Sequence, residues 1–299
     1  MYKKLLSFVI CAIGSMFLIH TLAFASEDVL EDEDAPVSDN YLKEIRIDSL
    51  ESFKWIYSTA VLTVYFNNGT FKQGFALLLQ DGFYLTSSEL TYNEGLYPQK
   101  IIAKMQDDSA DPLICIAQLR LKVMDSNKGL SLLETTAFTD DYCNTRAESY
   151  YHKRIYDKYA QNIFSKKPTQ ELIKDGLYYP IIKQADTFGV RRTYFIKEEN
   201  HYNQKLAKEI SYGYSLPFDD QGRFVFGKPY FDKNGDFLGI FSVLTDSYLP
   251  VLIKKEIVQA FICESTEKNI LKDQVFSNVC KNHFYHINSQ TKIANNTQK

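Results

Sequence analysis

The sequence is poor in several features that would have narrowed its function at once. It carries one Trp and 4 Met in 299 residues, and its 34 basic side chains do not outnumber its 37 acidic ones. Without a basic excess there is little to neutralise a phosphate backbone, which excludes a dedicated nucleic-acid binder. Beyond the first 25 residues no apolar run is long enough to cross a bilayer, so a polytopic membrane protein is excluded too. A Walker loop, a dinucleotide fingerprint and a calcium loop are all missing, and no cofactor is implied. Apolar and aromatic residues, by contrast, are plentiful. Hydrophobic residues make up 45% of the chain, with 21 Tyr and 21 Phe, which supplies an ample core and rules out a disordered polypeptide.

The N-terminus speaks to compartment. Lys3 and Lys4 precede a largely apolar stretch from Leu5, and Ala23-Phe24-Ala25 places small residues at both cleavage subsites. Residues 1–25 are therefore expected to be a secretory signal peptide. An uncleaved anchor is the alternative, because the run is nearly long enough to span. Bulky Ile10 before Cys11 argues against lipid attachment there. Cleavage implies a periplasmic or secreted protein without stable membrane insertion. It leaves Cys115, Cys143, Cys263 and Cys280, an even number that suits disulfides in an oxidising compartment. Four cysteines allow three connectivities, and sequence does not choose among them. The local pairs Cys115–Cys143 and Cys263–Cys280 are the working expectation because they require no distant packing. Cys280, His283 and His286 with Cys263 would make a zinc site of unusual spacing, and an oxidised cysteine pair would remove two ligands, so no metal is expected.

Residues 26–40 are acidic, with Glu27, Asp28, Glu31, Asp32, Glu33, Asp34 and Asp39, and read as a disordered linker. Tyr41–Trp55 fits a short amphipathic helix loosely. Strand signals follow at Ala60–Phe66, Phe71–Leu79, Phe83–Thr86, Lys100–Met105, Leu113–Val123 and Leu130–Leu133, rich in β-branched and aromatic residues and punctuated by Asn-Gly and Asp-Gly turns. Six short strands over about 56–140 suggest a small antiparallel barrel or sandwich. The middle reads as helical over Tyr150–Phe164 and Thr169–Tyr178, an insertion of about 150–180, and again over Glu198–Ile210. Strands are expected at Thr193–Ile196, Arg223–Val225, Pro229–Phe231 and Phe237–Thr245, with a hairpin turn at Asp232–Asp236. A helix over Leu249–Cys263 closes the domain.

Three segments carry a resemblance. Gly74-Phe75-Ala76-Leu77-Leu78-Leu79-Gln80-Asp81-Gly82-Phe83-Tyr84-Leu85-Thr86-Ser87-Ser88-Glu89-Leu90 resembles the first-barrel signature of trypsin-like serine proteases of the HtrA type, in which an "ILTNAHV"-like strand end delivers the catalytic His. Lys128-Gly129-Leu130-Ser131-Leu132-Leu133 is similar to the "DLALL" strand that carries the Asp. Phe226-Gly227-Lys228-Pro229-Tyr230-Phe231-Asp232-Lys233-Asn234-Gly235-Asp236-Phe237-Leu238-Gly239-Ile240 resembles "SGGPLFDKNGEVIGI", which carries the nucleophile. The resemblance spans about Tyr57 to Asp246. It implies a mainly β fold of two six-stranded antiparallel barrels, about 56–140 and 185–246, with extra helices in the middle and a C-terminal helix. The domain would occupy 41–265, followed by an extension and polar tail over 266–299.

The chemistry does not carry over. The His position falls on Glu89, the Asp position on Gly129 and the Ser position on Phe226. A hydroxyl nucleophile needs an imidazole to take its proton, and the imidazole needs a carboxylate to hold its tautomer. Phe226 has no nucleophilic atom, and Gly129 has no side chain with which to orient anything. The oxyanion-hole glycines fall on Phe224 and Lys228, bulky residues in a turn that depends on exposed N–H groups. His152, His201, His283 and His286 lie outside the signature segments and read as surface residues. The roughly fifty residues after Pro250 are too few for the PDZ domain common in that family. The expectation is a pseudo-protease acting as a binding or scaffolding component of an envelope assembly, the periplasmic parts of flagellar motors being one such setting. Its partners would be other envelope proteins, met through Tyr150, Tyr151, Tyr156 and Tyr159. The rival classes are an active peptidase with a displaced catalytic set and a chaperone-like binder using the vestigial cleft.

Overall fold

The computed structural model describes residues 44–45, 50–107, 110–146, 150–164, 176–183, 187–195, 197–203, 208–216, 226–244 and 249–281. The expected leader, the acidic linker and the strand at Arg223–Val225 lie outside the described residues. Strand β1 (Glu44–Ile45) is followed by 3-10 turns over Leu50–Ser58. Then come β2 (Thr59–Phe66), β3 (Phe71–Leu78), β4 (Phe83–Ser87), a short helix α1 (Ser88–Thr91), β5 (Pro98–Asp107), β6 (Ala110–Asp125), β7 (Leu130–Thr139) and β8 (Thr145–Arg146). Helix α2 (Tyr150–Tyr159) leads to β9 (Leu177–Lys183), β10 (Thr187–Thr193), β11 (Lys197–Asn203) and β12 (Lys208–Ser215). The chain ends with β13 (Pro229–Phe231), β14 (Phe237–Leu244), β15 (Leu249–Lys254), α3 (Lys255–Glu267) and a further helix over 274–281.

The first half closes on itself. The order β4-β3-β2-β5-β6-β7 is sealed by pairing β4 with β7, giving a six-stranded antiparallel barrel with β8 appended to β7. Closure removes the exposed edges that such short strands would otherwise present. Leu62, Val64, Leu77, Leu85, Ala103, Met105, Ala117 and Leu132 fill its buried core. The expected strands are all there, and the fold is mainly β as anticipated.

The second half differs from expectation. It forms an antiparallel sheet in the order β1-β10-β9-β13-β14-β15-β12-β11, and no pairing among the described residues closes it into a second six-stranded barrel. Two segments expected to be helical supply strands. Leu177–Lys183 alternates between two cores, with Leu177, Tyr179 and Ile181 in one and Tyr178 in the other, as a strand covered on both faces requires. Leu249–Lys254 does the same, with Val251 and Ile253 facing one core and Leu252 the other, so α3 begins only at Lys255. Glu198–Ile210 is a third correction. Tyr202, Leu206 and Ile210 recur at four-residue steps and imitate a helical stripe, but the backbone of 197–203 pairs residue by residue with 208–215. The helix expected over Tyr41–Trp55 is also replaced: Glu44 and Ile45 pair with β10, and Trp55 stacks on Phe231 at 4.4 Å.

Both local disulfides form, Cys115–Cys143 with Cα atoms 5.1 Å apart and Cys263–Cys280 at 5.3 Å. The second ties α3 to the helix over 274–281, whose Phe276 packs on Phe83 of the barrel at 5.4 Å. With both cysteines oxidised they cannot ligate zinc. Among the described residues no group of three metal-ligating side chains gathers, and His283 and His286 lie outside them. Among those residues, too, no helix is long and apolar enough to cross a membrane. Two disulfides fit an oxidising, extracytoplasmic compartment.

Helix α3 covers the seam of the sheet with Val258, Phe261 and Ile262, all buried. Replacing Phe261 by Ala is expected to cost about 3–5 kcal/mol, read as a lowered midpoint in urea unfolding under oxidising conditions.

Candidate functional site: the Glu89–Gly129–Phe226 seam

Strand β4 delivers Glu89 by running its apolar residues into the barrel and stopping at Ser87. The Ser87 hydroxyl accepts the Glu89 N–H at 3.1 Å and so caps the four-residue turn α1. The Glu89 carboxylate points outward to Lys72, whose Nζ lies 2.8 Å from Oε1 and also donates to the carbonyls of Glu89 and Tyr92. Glu89 is thus held in a half-exposed ion pair, an arrangement of small energetic weight that still fixes where the carboxylate sits.

Gly129 lies at the start of β7, directly beneath α1. It lacks a side chain, yet it orients its surroundings through its carbonyl, which accepts the Ser88 N–H at 3.0 Å and the Ser242 hydroxyl at 2.5 Å. Ser242, on β14 of the second sheet, in turn lies 2.6 Å from the Ser87 hydroxyl. The direction of this chain follows from its ends. Ser242 gives its proton to a carbonyl, so Ser87 must donate to Ser242, while Ser87 itself accepts from the Glu89 amide. Both hydroxyls are fully buried. A parallel bridge of Ser131, Thr91 and the Ser88 carbonyl secures the other side of α1, at 2.6 and 3.2 Å.

Phe226 comes to the same place from the second sheet. Its carbonyl accepts the Phe75 N–H of β3 at 2.9 Å, and its ring stacks on Phe241 with centroids 6.3 Å apart. The Leu90 side chain and the Phe226 carbonyl both press on the bare Cα of Gly74. Gly227 then turns the chain with φ +78°, where a Cβ would meet the Phe75 carbonyl at 1.9 Å. Lys228 is buried with its ammonium 5.4 Å from the Phe75 ring centroid and 4.9 Å from that of Tyr179, a cation held between aromatic faces of barrel and sheet. The turn at Asp232 forms as expected, its Oδ1 accepting the Asn234 and Asp236 amides at 2.8 Å each.

The fold therefore brings Glu89, Gly129 and Phe226 to one seam. What assembles there is packing and hydrogen bonding between two sheets. Sequence reasoning missed Ser242, whose partners 113 and 155 residues away leave no local signal. Phe224 lies outside the described residues, and no histidine is among the residues whose side chains are described.

Two members of the expected tyrosine surface turn inward. Tyr159 is buried against Tyr57, ring centroids 5.1 Å apart, so it serves the core. Tyr156 turns inward too: its hydroxyl lies 2.7 Å from those of Tyr84 and Thr135, and burial pushes its pKa up to about 12, although Thr135 and Tyr84 bonding opposes the rise. The side chains of Tyr150 and Tyr151 lie outside the described residues.

No protein-family model and no curated protein matches the sequence. Among solved structures, similar chains include the Rv3671c protease from M. tuberculosis in its active form, at 10% identity over 74% of this chain and 88% of that one with a TM-score of 0.45. The HtrA-type protease AlgW with tripeptide is 13% identical over 73% of this chain and 63% of that one, with a TM-score of 0.46. Deg5 is 11% identical over 70% and 89%, with a TM-score of 0.45. At such values no role passes from a neighbour's residue to this chain, and the mainly β assignment stands on the closed barrel and second sheet themselves.

Gly227 tests the closeness of the seam. Gly227→Ala is expected to destabilise by at least about 2 kcal/mol, from a strained positive φ and a collision with the Phe75 backbone, measured by denaturant unfolding against wild type.

Proposed function

We propose that this protein is a catalytically inactive relative of the trypsin-like proteases that acts as a protein-binding component of the cell envelope, most simply in the periplasm. One observation carries the reading. Where a nucleophile, a base and an orienting carboxylate would have to meet, the buried hydroxyls of Ser87 and Ser242 pass their protons toward a peptide carbonyl, that of Gly129. A carbonyl cannot take a proton as an imidazole does, so neither hydroxyl is activated. Phe226 brings a ring to the position of the nucleophile and spends its carbonyl on the barrel backbone. Glu89 is engaged by Lys72 and faces no hydroxyl proton among the hydrogen bonds of the seam.

The frame that remains is rigid and doubly cross-linked, suited to displaying surface to partners outside the cytoplasm. Purified protein is expected to give no turnover above buffer on a panel of fluorogenic peptides, with Glu89→Ala and Phe226→Ala at the same baseline. It is expected to retain defined partners when used to capture proteins from envelope fractions. Turnover that disappears in Glu89→Ala would contradict the reading.

A further inference from the structure

At the far end of β4 from Glu89 the barrel opens into a groove of about 730 Å³, a size usual for sites that hold a side chain or small ligand. Its floor is built and fixed. The Tyr156 hydroxyl bridges Tyr84 and Thr135 at 2.7 Å each, and Thr135 donates to the Gly82 carbonyl at 2.8 Å. The Phe138 and Tyr156 rings meet edge to face at 6.0 Å, and Ala160 and Val275 complete an apolar wall. Val275 is an apolar side chain left 37% exposed.

Among the described residues the charge on this wall has one sign. Among the ten residues lining the groove are the carboxylates of Asp81 and Asp157 and no Lys, Arg or His. Asp81 is raised above the usual carboxylate range by burial and by the neighbouring Asp273. A cation beside Asp81 would relieve that repulsion. Asp81 is presented by a backbone in the left-handed region, φ 59°, held by the Leu79 amide on the Phe83 carbonyl at 2.7 Å.

We infer that this groove is a docking site for an extended segment of a protein partner carrying an arginine flanked by apolar residues. The arginine stem would lie on Phe138, Ala160 and Val275, and its guanidinium would pair with Asp81 and Asp157 over the Tyr156 ring. Apolar stem and charged head are the two surfaces the groove offers, and a planar guanidinium suits both the aromatic face and paired carboxylates. The inference deepens the binding role proposed above and rests on it only for the existence of a partner. It also gives Tyr156 a place in partner binding as the groove's floor.

The test is fluorescence anisotropy of the full chain, disulfides intact, with a labelled peptide of sequence Ala-Leu-Arg-Leu-Arg-Ala and its glutamate counterpart. Wild type is expected to bind the arginine peptide and not the glutamate one. Asp81→Asn combined with Asp157→Asn is expected to weaken binding about tenfold or more, as is raising salt to about 0.5 M. Asn tolerates the left-handed backbone at position 81, so this variant should fold. Val275→Lys, on the exposed rim, supplies an independent variant with the same expected loss, while Glu89→Ala should bind as wild type. Equal affinity in the double Asp variant, binding of the glutamate peptide, or a blocked arginine amide binding as tightly as the peptide would each overturn the inference. Peptidase turnover would sink the inactive reading without touching this one, and partner capture that survives the groove variants would do the reverse.

Discussion

Two hydrogen bonds at one seam tie barrel to sheet, Ser87 to Ser242 and Ser242 to the Gly129 carbonyl, and two more within the barrel, Glu89 amide to Ser87 and Ser88 amide to that same carbonyl, fix the turn beside them. All of these hydroxyls and carbonyls are taken from water, and a buried polar group left unpaired costs about 1–3 kcal/mol. The chain leaves none of its members wanting. It also fixes the geometry around it, because α1 can sit only where Ser88 reaches Gly129, and β14 only where Ser242 reaches both. Phe226 adds the second tie, through its carbonyl to Phe75 and its ring on Phe241.

The same constraint separates structure from chemistry. A catalytic triad stores a proton path that ends on a mobile base; here the path ends on the backbone and is closed. Gly227 and Lys228 reinforce this, one by turning at a positive φ against the β3 carbonyl, the other by lodging its ammonium between Phe75 and Tyr179. Lys228 thereby acts as mortar between two sheets. The groove beneath Asp81 is built at the opposite end of β4, so a surface for partners can exist without disturbing the seam.

Much of the barrel was legible because its physics is local. Val61, Leu62 and Val64 leading into Asn67-Asn68-Gly69, and Asp81-Gly82 between two apolar runs, specify strands and turns within a few residues. The two disulfides followed from the same locality. Three segments misled because the apolar spacing inside a short segment does not reveal a second core or a strand partner. Leu252 and Val251 face different cores, which looks like a helix's all-round apolarity until the second core is known. Tyr202, Leu206 and Ile210 mimic a helical stripe that backbone pairing overrides. That Glu89, Gly129 and Phe226 sit in motif-like segments could be read from the chain, whereas Ser242 was invisible, since nothing beside it in the chain reveals that it meets Ser87 and Gly129. Tyr159 shows the limit of composition: an aromatic that looked like interface belongs to the core.

Phe226 holds barrel and sheet together through its carbonyl and its ring. Equilibrium unfolding of Phe226→Ala tests this most directly. Residues kept for activity are commonly neutral or costly to stability, whereas a packing residue stabilises. For this half-buried ring a loss of about 2 kcal/mol is expected, less than a fully buried Phe would show. A Phe226→Ala protein as stable as wild type, or more so, would contradict it.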